Sequence, residues 1–184
     1  IVGIYLKTKK FEKNLGKMLS GMLNNMESRG PDSAGFAIYK NEGNKKYKFS
    51  LCINNLNFNI FKKELSKKIK KIKLNQISDH VILKTEEKPK KILEILNLNF
   101  PEVSIVGYGK SIEIFKQVGN PKDVVKKFKL ADFAGTHGIG HTRMATESAI
   151  TTDGSHPYST GEDECLVHNG SLSNHNNLRR ELTK

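Results

Sequence analysis

The residues best suited to chemistry lie close together, between Gly138 and Leu178. Two clusters stand there, Gly140-His141-Thr142-Arg143 and Val167-His168-Asn169-Gly170, joined by a polar loop with Gly154 and Pro157. Arg143 carries a planar fork of donors that matches a carboxylate at two points. Asn169 adds a side-chain amide, and Gly170 a backbone N–H with no Cβ in front of it. Two donors aimed at one point stabilise the oxygen that turns negative when a carbonyl is attacked. The pattern fits a small polar ligand gripped by its carboxylate, with its carbonyl at Asn169 and Gly170.

A further cluster, Arg29-Gly30-Pro31-Asp32-Ser33-Ala34-Gly35, lies far upstream. In order, this run, Gly140 to Thr146 and His168-Asn169-Gly170-Ser171-Leu172-Ser173-Asn174 resemble the class II glutamine amidotransferase domain of the N-terminal nucleophile hydrolases. That family shows RG-x-DSAG, GHTR-x-AT and HNG-x-x-x-N, and three ordered motifs are far more specific than one glycine signature.

The resemblance implies a mechanism. An N-terminal Cys attacks the carboxamide of glutamine, its own α-amino group acts as general base, and a thioester forms and is hydrolysed. It implies Arg143 on the substrate carboxylate, Asn169 and Gly170 as the oxyanion hole, and Thr146 and His168 lining the pocket. Arg29 and Asp32 would support the site from behind. The family places Cys-Gly just ahead of Ile-Val-Gly, where this sequence begins at Ile1. The segment by itself is therefore expected to be inactive, and to be part of a longer polypeptide.

The same resemblance implies an α+β fold, a four-layer α-β-β-α sandwich incomplete at the C-terminus. L-glutamine is the expected substrate, and a synthase subunit or domain the expected acceptor of ammonia. Met144-Ala145-Thr146-Glu147-Ser148 and the residues after Asn169 are most similar to the stand-alone amidotransferase subunit of split glutamate synthase and methylglutamate synthase. FMN and iron–sulfur clusters would then sit on partner subunits, with no cofactor in this domain. The alternative is a catalytically inactive glutamine-binding regulatory module.

Those groups need elements to position them. Ile1 to Lys7 reads as a central strand. Leu15, Met18, Leu19, Met22, Leu23 and Met26 lie on one helical face, which predicts an amphipathic helix over 12–28 with methionines filling the core. Asp32 to Gly35 feeds a strand from Phe36 to Lys40. Residues 46–108 read as a Lys-rich β-α-β-α-β insertion, with strands at 46–53, 80–84 and 102–108 and helices at 58–73 and 89–98. A strand at 112–118, a short helix from Pro121 to Phe128 and a Gly-containing approach at 133–138 lead to the Arg143 cluster. Ser173 is a suitable N-cap for a last helix.

Composition removes several other classes. The net charge of +12 suggests nucleic acid, yet only four basic residues are arginine and no aromatics interleave with the lysines. Eleven lysines between Lys62 and Lys91 read as a solvated face. No apolar run reaches membrane-spanning length and no signal-peptide pattern opens the chain, so the expected compartment is the cytoplasm. Cys52 and Cys165 form no disulfide framework, and Cys165 reads as a buried small hydrophobe. His137, His141, His156 and His168 invite a metal reading, but no Cys or carboxylate completes a set at ligand spacing. Gly107-Tyr108-Gly109-Lys110-Ser111 lacks the first glycine of a phosphate-binding loop and precedes a strand, so it is set aside.

Overall fold

The computed structural model describes residues 1–40, 43, 46–145, 149–170 and 173–184. It is an α+β protein built from antiparallel sheets. The first sheet runs β1-β8-β2-β7, from strands Val2–Tyr5, His137–Arg143, Ser33–Tyr39 and Ile112–Val118. The second runs β4-β5-β3-β6, from Lys73–Ile77, His80–Thr85, Tyr47–Cys52 and Ser104–Gly109. A two-stranded ribbon pairs β9 (Tyr158–Gly161) with β10 (Glu164–Leu166).

Alternation along the strands decides which face is covered. In β2, Ala34, Phe36 and Ile38 pack with Leu15, Leu19 and Leu23 of α1 (Leu15–Asn24) and Val124 and Val125 of α4 (Pro121–Lys127). Ala37 lies on the opposite face, with Ile114 of β7 and with Cys52 and Val106 of the second sheet. In the second sheet, Phe49, Leu51, Val81 and Leu83 meet Phe61 and Leu65 of α2 (Phe58–Lys68) and Ile92 and Leu96 of α3 (Pro89–Asn99). Its other face turns to β7, where Ser50 Oγ accepts from the Ile114 N–H at 2.9 Å. Lys48 Nζ donates to Glu113 Oε1 at 3.1 Å and to the Ser111 carbonyl at 3.0 Å. Edge strand β7 is thereby closed by side chains of the second sheet. The outcome is the layered sandwich of helix-covered sheets that the motifs imply.

Several elements depart from expectation. Strand β1 lies at the edge of its sheet, and Tyr5 is 71% exposed. A β-branched run fits any pleated surface, so composition does not distinguish centre from edge. The helix expected over 12–28 is three pieces: a 3-10 turn at Lys9–Asn14, α1, and a 3-10 turn at Glu27–Arg29. The Gly16 N–H bonds to the Phe133 carbonyl, so the first turn of α1 docks on a distant segment. Leu15, Leu19 and Leu23 form its buried row, while Met18, one row across, is 37% exposed and is not core filler.

The helix expected over 58–73 stops at Lys68, because Ile69 turns extended, at φ −126° and ψ 120°, and the chain pairs as β4. Residues 47–109 are thus β-α-β-β-α-β with both helices on one face, the split βαβ arrangement. The last helix, α5, spans His175–Leu182 with Asn174 at its N-cap instead of Ser173. Among the described residues no helix is long and apolar enough to cross a membrane.

Candidate active site

Strand pairing brings the separated motifs to one end of the first sheet. Ser33, where β2 begins, is opposite Arg143, where β8 ends, and Val2 of β1 is opposite Gly140. Backbones come unusually close here, and the glycines of the upstream motif permit it. A Cβ on Gly30 would lie 2.5 Å from the Thr142 carbonyl carbon and 2.6 Å from the Arg143 nitrogen. One on Gly35 would lie 2.2 Å from the His156 carbonyl oxygen and 2.8 Å from that of Phe115. Backbone oxygens cannot yield that distance without moving strands.

Asp32 braces the far side of Arg143. Its carboxylate accepts the Ala145 N–H at 2.7 Å, and its own N–H donates to the Arg143 carbonyl at 3.1 Å. Two residues of the exit from β8 are thus tied to the upstream motif. Arg29, by contrast, is exposed on the 3-10 turn at Glu27–Arg29. Arg143 itself is half-buried, and its Nη1 donates to the Ala149 carbonyl at 3.3 Å, so its fork faces the loop that follows. Thr146 lies outside the described residues.

The third motif is tied in through histidine. His141 Nε2 is 3.0 Å from the His168 carbonyl. A carbonyl can only accept, so Nε2 carries the proton and Nδ1 keeps a lone pair. That Nδ1 is buried and has no hydrogen-bond partner among the described residues, and the same holds for His156 Nδ1 and Ser33 Oγ. His168, Asn169 and Gly170 are exposed, and Gly170 has φ +148°. The Asn169-Gly170 pair leads from β10 toward α5, so it is not the turn of a β-hairpin.

Lys116 and His156 add what the motifs alone do not announce. The rings of His141 and His156 stack at 4.2 Å, and His156 meets Tyr158 edge-on at 4.5 Å. Lys116, only 5% exposed, donates to the carbonyls of Asp153 at 3.0 Å and Ser155 at 2.9 Å. Its Nζ also lies 4.9 Å from the Tyr158 ring centre. Parity along β7 was the available signal, since Lys116 shares a face with Ile112 and Ile114. Burial pushes the His156 imidazole down to about 4, helped by the positive charges of Arg143 and Lys116. Burial also lowers His141. The end of the sheet therefore holds neutral, stacked imidazoles beside fixed positive charge, a setting for an anionic ligand.

Other readings are resolved by position. His137 starts β8, stacks on Tyr39 at 4.2 Å and bonds Thr136 Oγ1 at 2.9 Å. Four residues of strand set it about 13 Å from His141, so the four histidines do not share an ion. Cys165 is half-buried at the edge of the core and not fully buried as expected; its Sγ lies 3.4 Å from the Tyr39 hydroxyl, and partial burial pushes its thiol up, away from the range of a nucleophile. The N–H groups of Lys110, Ser111 and Ile112 all donate to the Asp163 carboxylate, at 3.0, 2.7 and 2.9 Å. That turn is capped from within and is no phosphate cradle.

No family model matches the chain. Along its whole length it is 48% identical to the glutamine amidotransferase-like protein GlxB of Rhizobium meliloti, of which it covers 62%. It is 28% identical to a putative glutamine amidotransferase of Methanothermobacter thermautotrophicus, again over the whole chain and 65% of that protein. The glutamine–fructose-6-phosphate aminotransferase of Methanococcus maripaludis is 40% identical over 73 residues, which are 39% of this chain and 12% of that one. The chain thus spans less than two thirds of the curated relatives it matches from end to end. Three motifs meeting at one end of an antiparallel sheet, with relatives of this kind along the full length, support a class II glutamine amidotransferase domain.

Proposed function

We propose that the domain releases ammonia from glutamine for a partner synthase, of the glutamate-synthase type, through a thioester on an N-terminal cysteine. The observation that carries this reading is the start of β1. Val2 lies opposite Gly140, so in the same register Ile1 falls opposite His141, and residues ahead of it would continue alongside Thr142 and Arg143, beside the His168 linkage. A cysteine there would sit between the carboxylate fork and the Asn169-Gly170 donors. Its thiol would add to the carboxamide carbon while its α-amino group takes the proton and returns it to the leaving ammonia. Water would then cleave the thioester and release glutamate. Asp32 would hold the Arg143 exit in register, and His141 would hold the His168 backbone. The cysteine, and the inactivity of the segment without it, belong to the proposal. So do glutamine as the substrate and the identity of the acceptor.

The test is glutamate release by the full-length protein, with mass spectrometry after a glutamine-analogue alkylator. Asn169→Ala should lower kcat by about 10²–10³-fold through loss of an oxyanion donor. Arg143→Lys should raise KM by roughly tenfold or more, because a point charge replaces a fork. Label on an internal cysteine instead of an N-terminal one sinks the thioester route. Glutamine binding without turnover, with acceptors supplied, would replace it with the regulatory-module reading.

A further inference from the structure

Away from the motifs, the pairing of β3 with β5 sets Cys52 directly across from His80, and the preceding turn adds Asp79. One ligand-capable atom from each, a thiol sulfur, an imidazole nitrogen and a carboxylate oxygen, lies within 4.8 Å of the other two. Cys52 is 1% exposed and His80 fully buried. His80 Nδ1 lies 3.0 Å from Asp79 Oδ1, while His80 Nε2 is buried with no hydrogen-bond partner among the described residues. Nδ1 is thus the nitrogen that faces the cluster, while Nε2 lies across the ring from the carboxylate; the Cys52 thiol donates to Asn54 Oδ1 at 3.2 Å, a bond that metal binding would replace.

We propose that Cys52, Asp79 and His80 hold a divalent metal ion of the zinc class. Thiolate, imidazole and carboxylate are the donors zinc takes, and three protein ligands leave one position for water. Ligand atoms around a tetrahedral zinc stand about 3.5 Å apart, so a contraction of about 1 Å closes the set. Binding releases one proton, from the Cys52 thiol, while His80 ligates through a neutral nitrogen. Two anionic ligands then balance the dication. Lys127, whose Nζ lies 2.9 Å from Asp79 Oδ2, can therefore remain as an outer partner of the carboxylate. The His80 ring also packs edge-on against Phe128 at 4.7 Å, just past α4. A metal here would clamp the ends of β3 and β5 and the turn before β5 where the second sheet meets α4. Burial keeps the site closed to larger substrates, so its role is structural. No motif spacing announces it, since its members join only when β3 pairs with β5.

Reduced, chelator-treated full-length protein titrated with Co2+ provides the test. A thiolate-to-cobalt charge-transfer band should saturate at one equivalent and be displaced by Zn2+. Cys52→Ala and His80→Ala, checked for folding by far-ultraviolet circular dichroism, should abolish that band, and Cys165→Ala should keep it. Asp79→Asn should keep the band but weaken apparent cobalt affinity roughly tenfold or more. The proposal is overturned if folded, reduced protein shows no band at equimolar Co2+, or if the band survives in Cys52→Ala. Either result would leave the Asp79–His80–Lys127 contacts as a hydrogen-bonded joint without metal.

Discussion

The two four-stranded sheets share an antiparallel plan and differ in how their surfaces are spent. On its helix-covered face the second sheet follows ordinary rules: Phe49, Leu51, Val81 and Leu83 face two helices, and the lysines of α2 face solvent; on its other face the buried Lys48 is paired with Glu113. At its motif end the first sheet breaks those rules. Glycines stand where backbones touch, Lys116 is buried, and three of the five buried side-chain atoms that lack partners among the described residues cluster there. Deviations from good packing and polar satisfaction tend to collect at functional sites, because there they serve binding and not stability. The contrast separates a scaffold from a candidate site within one chain.

That contrast is most easily broken at Gly35. Gly35→Ala would drive a Cβ to 2.2 Å from a backbone oxygen, so strands β2 and β7 must part from the loop before Pro157. A loss of more than about 3 kcal/mol in urea unfolding is expected, together with loss of the glutamine turnover proposed above. A stable, active variant would mean that the close approach is not required.

A smaller effect should appear with pH. His156 is neutral in the fold, with its pKa held near 4 against an ordinary 6.5, so the unfolded chain binds the extra proton first as pH falls. Its contribution is complete above about pH 7, declines from about pH 6.5 and is gone near pH 4, a change of about 3 kcal/mol. Melts at pH 7, 5.5 and 4.5 should show a slope that flattens in His156→Gln. An unchanged slope would show that His156 does not become charged on unfolding.

The smallest effect belongs to the lysine face of the second sheet. Lys67 pairs with Glu64 at 2.7 Å on exposed helix α2. Exposed pairs of this kind contribute little, so Lys67→Ala should change stability by no more than about 0.5 kcal/mol and leave the proposed glutamine turnover intact. A large loss of turnover there would turn the lysine face from a solvated surface into part of the functional assembly.

Much of this was legible in the order of residues. The Arg29–Gly35, Gly140–Arg143 and His168–Gly170 clusters pointed to one site, and β3, β5 and β7 fall within a residue of expectation, while β2 begins three residues earlier, at Ser33. Periodicity misled where tertiary contacts override it. Ile69 and Ile72 continued the helical row of α2, yet the chain left the helix at Lys68 to pair as β4. Met18 shared an apolar stripe with Leu15 and Leu19 but fell at its rim. Arg29 and Asp32 stood in one motif, and only Asp32 turned inward to a backbone N–H of the site.

The sequence by itself determined which groups are available: the arginine fork, the Asn-Gly donors, the glycines without Cβ atoms and the apolar periods that make strands and helices. Only the tertiary structure decided which of them meet. Val2 beside Gly140, Lys116 beneath the loop at Asp153 and Ser155, Asp163 on the turn at Ser111, and Cys52 across from His80 all join residues far apart in the chain. A local pattern encodes a period and a face. The partner across a sheet is set by register, and register is settled by the packing of the whole fold.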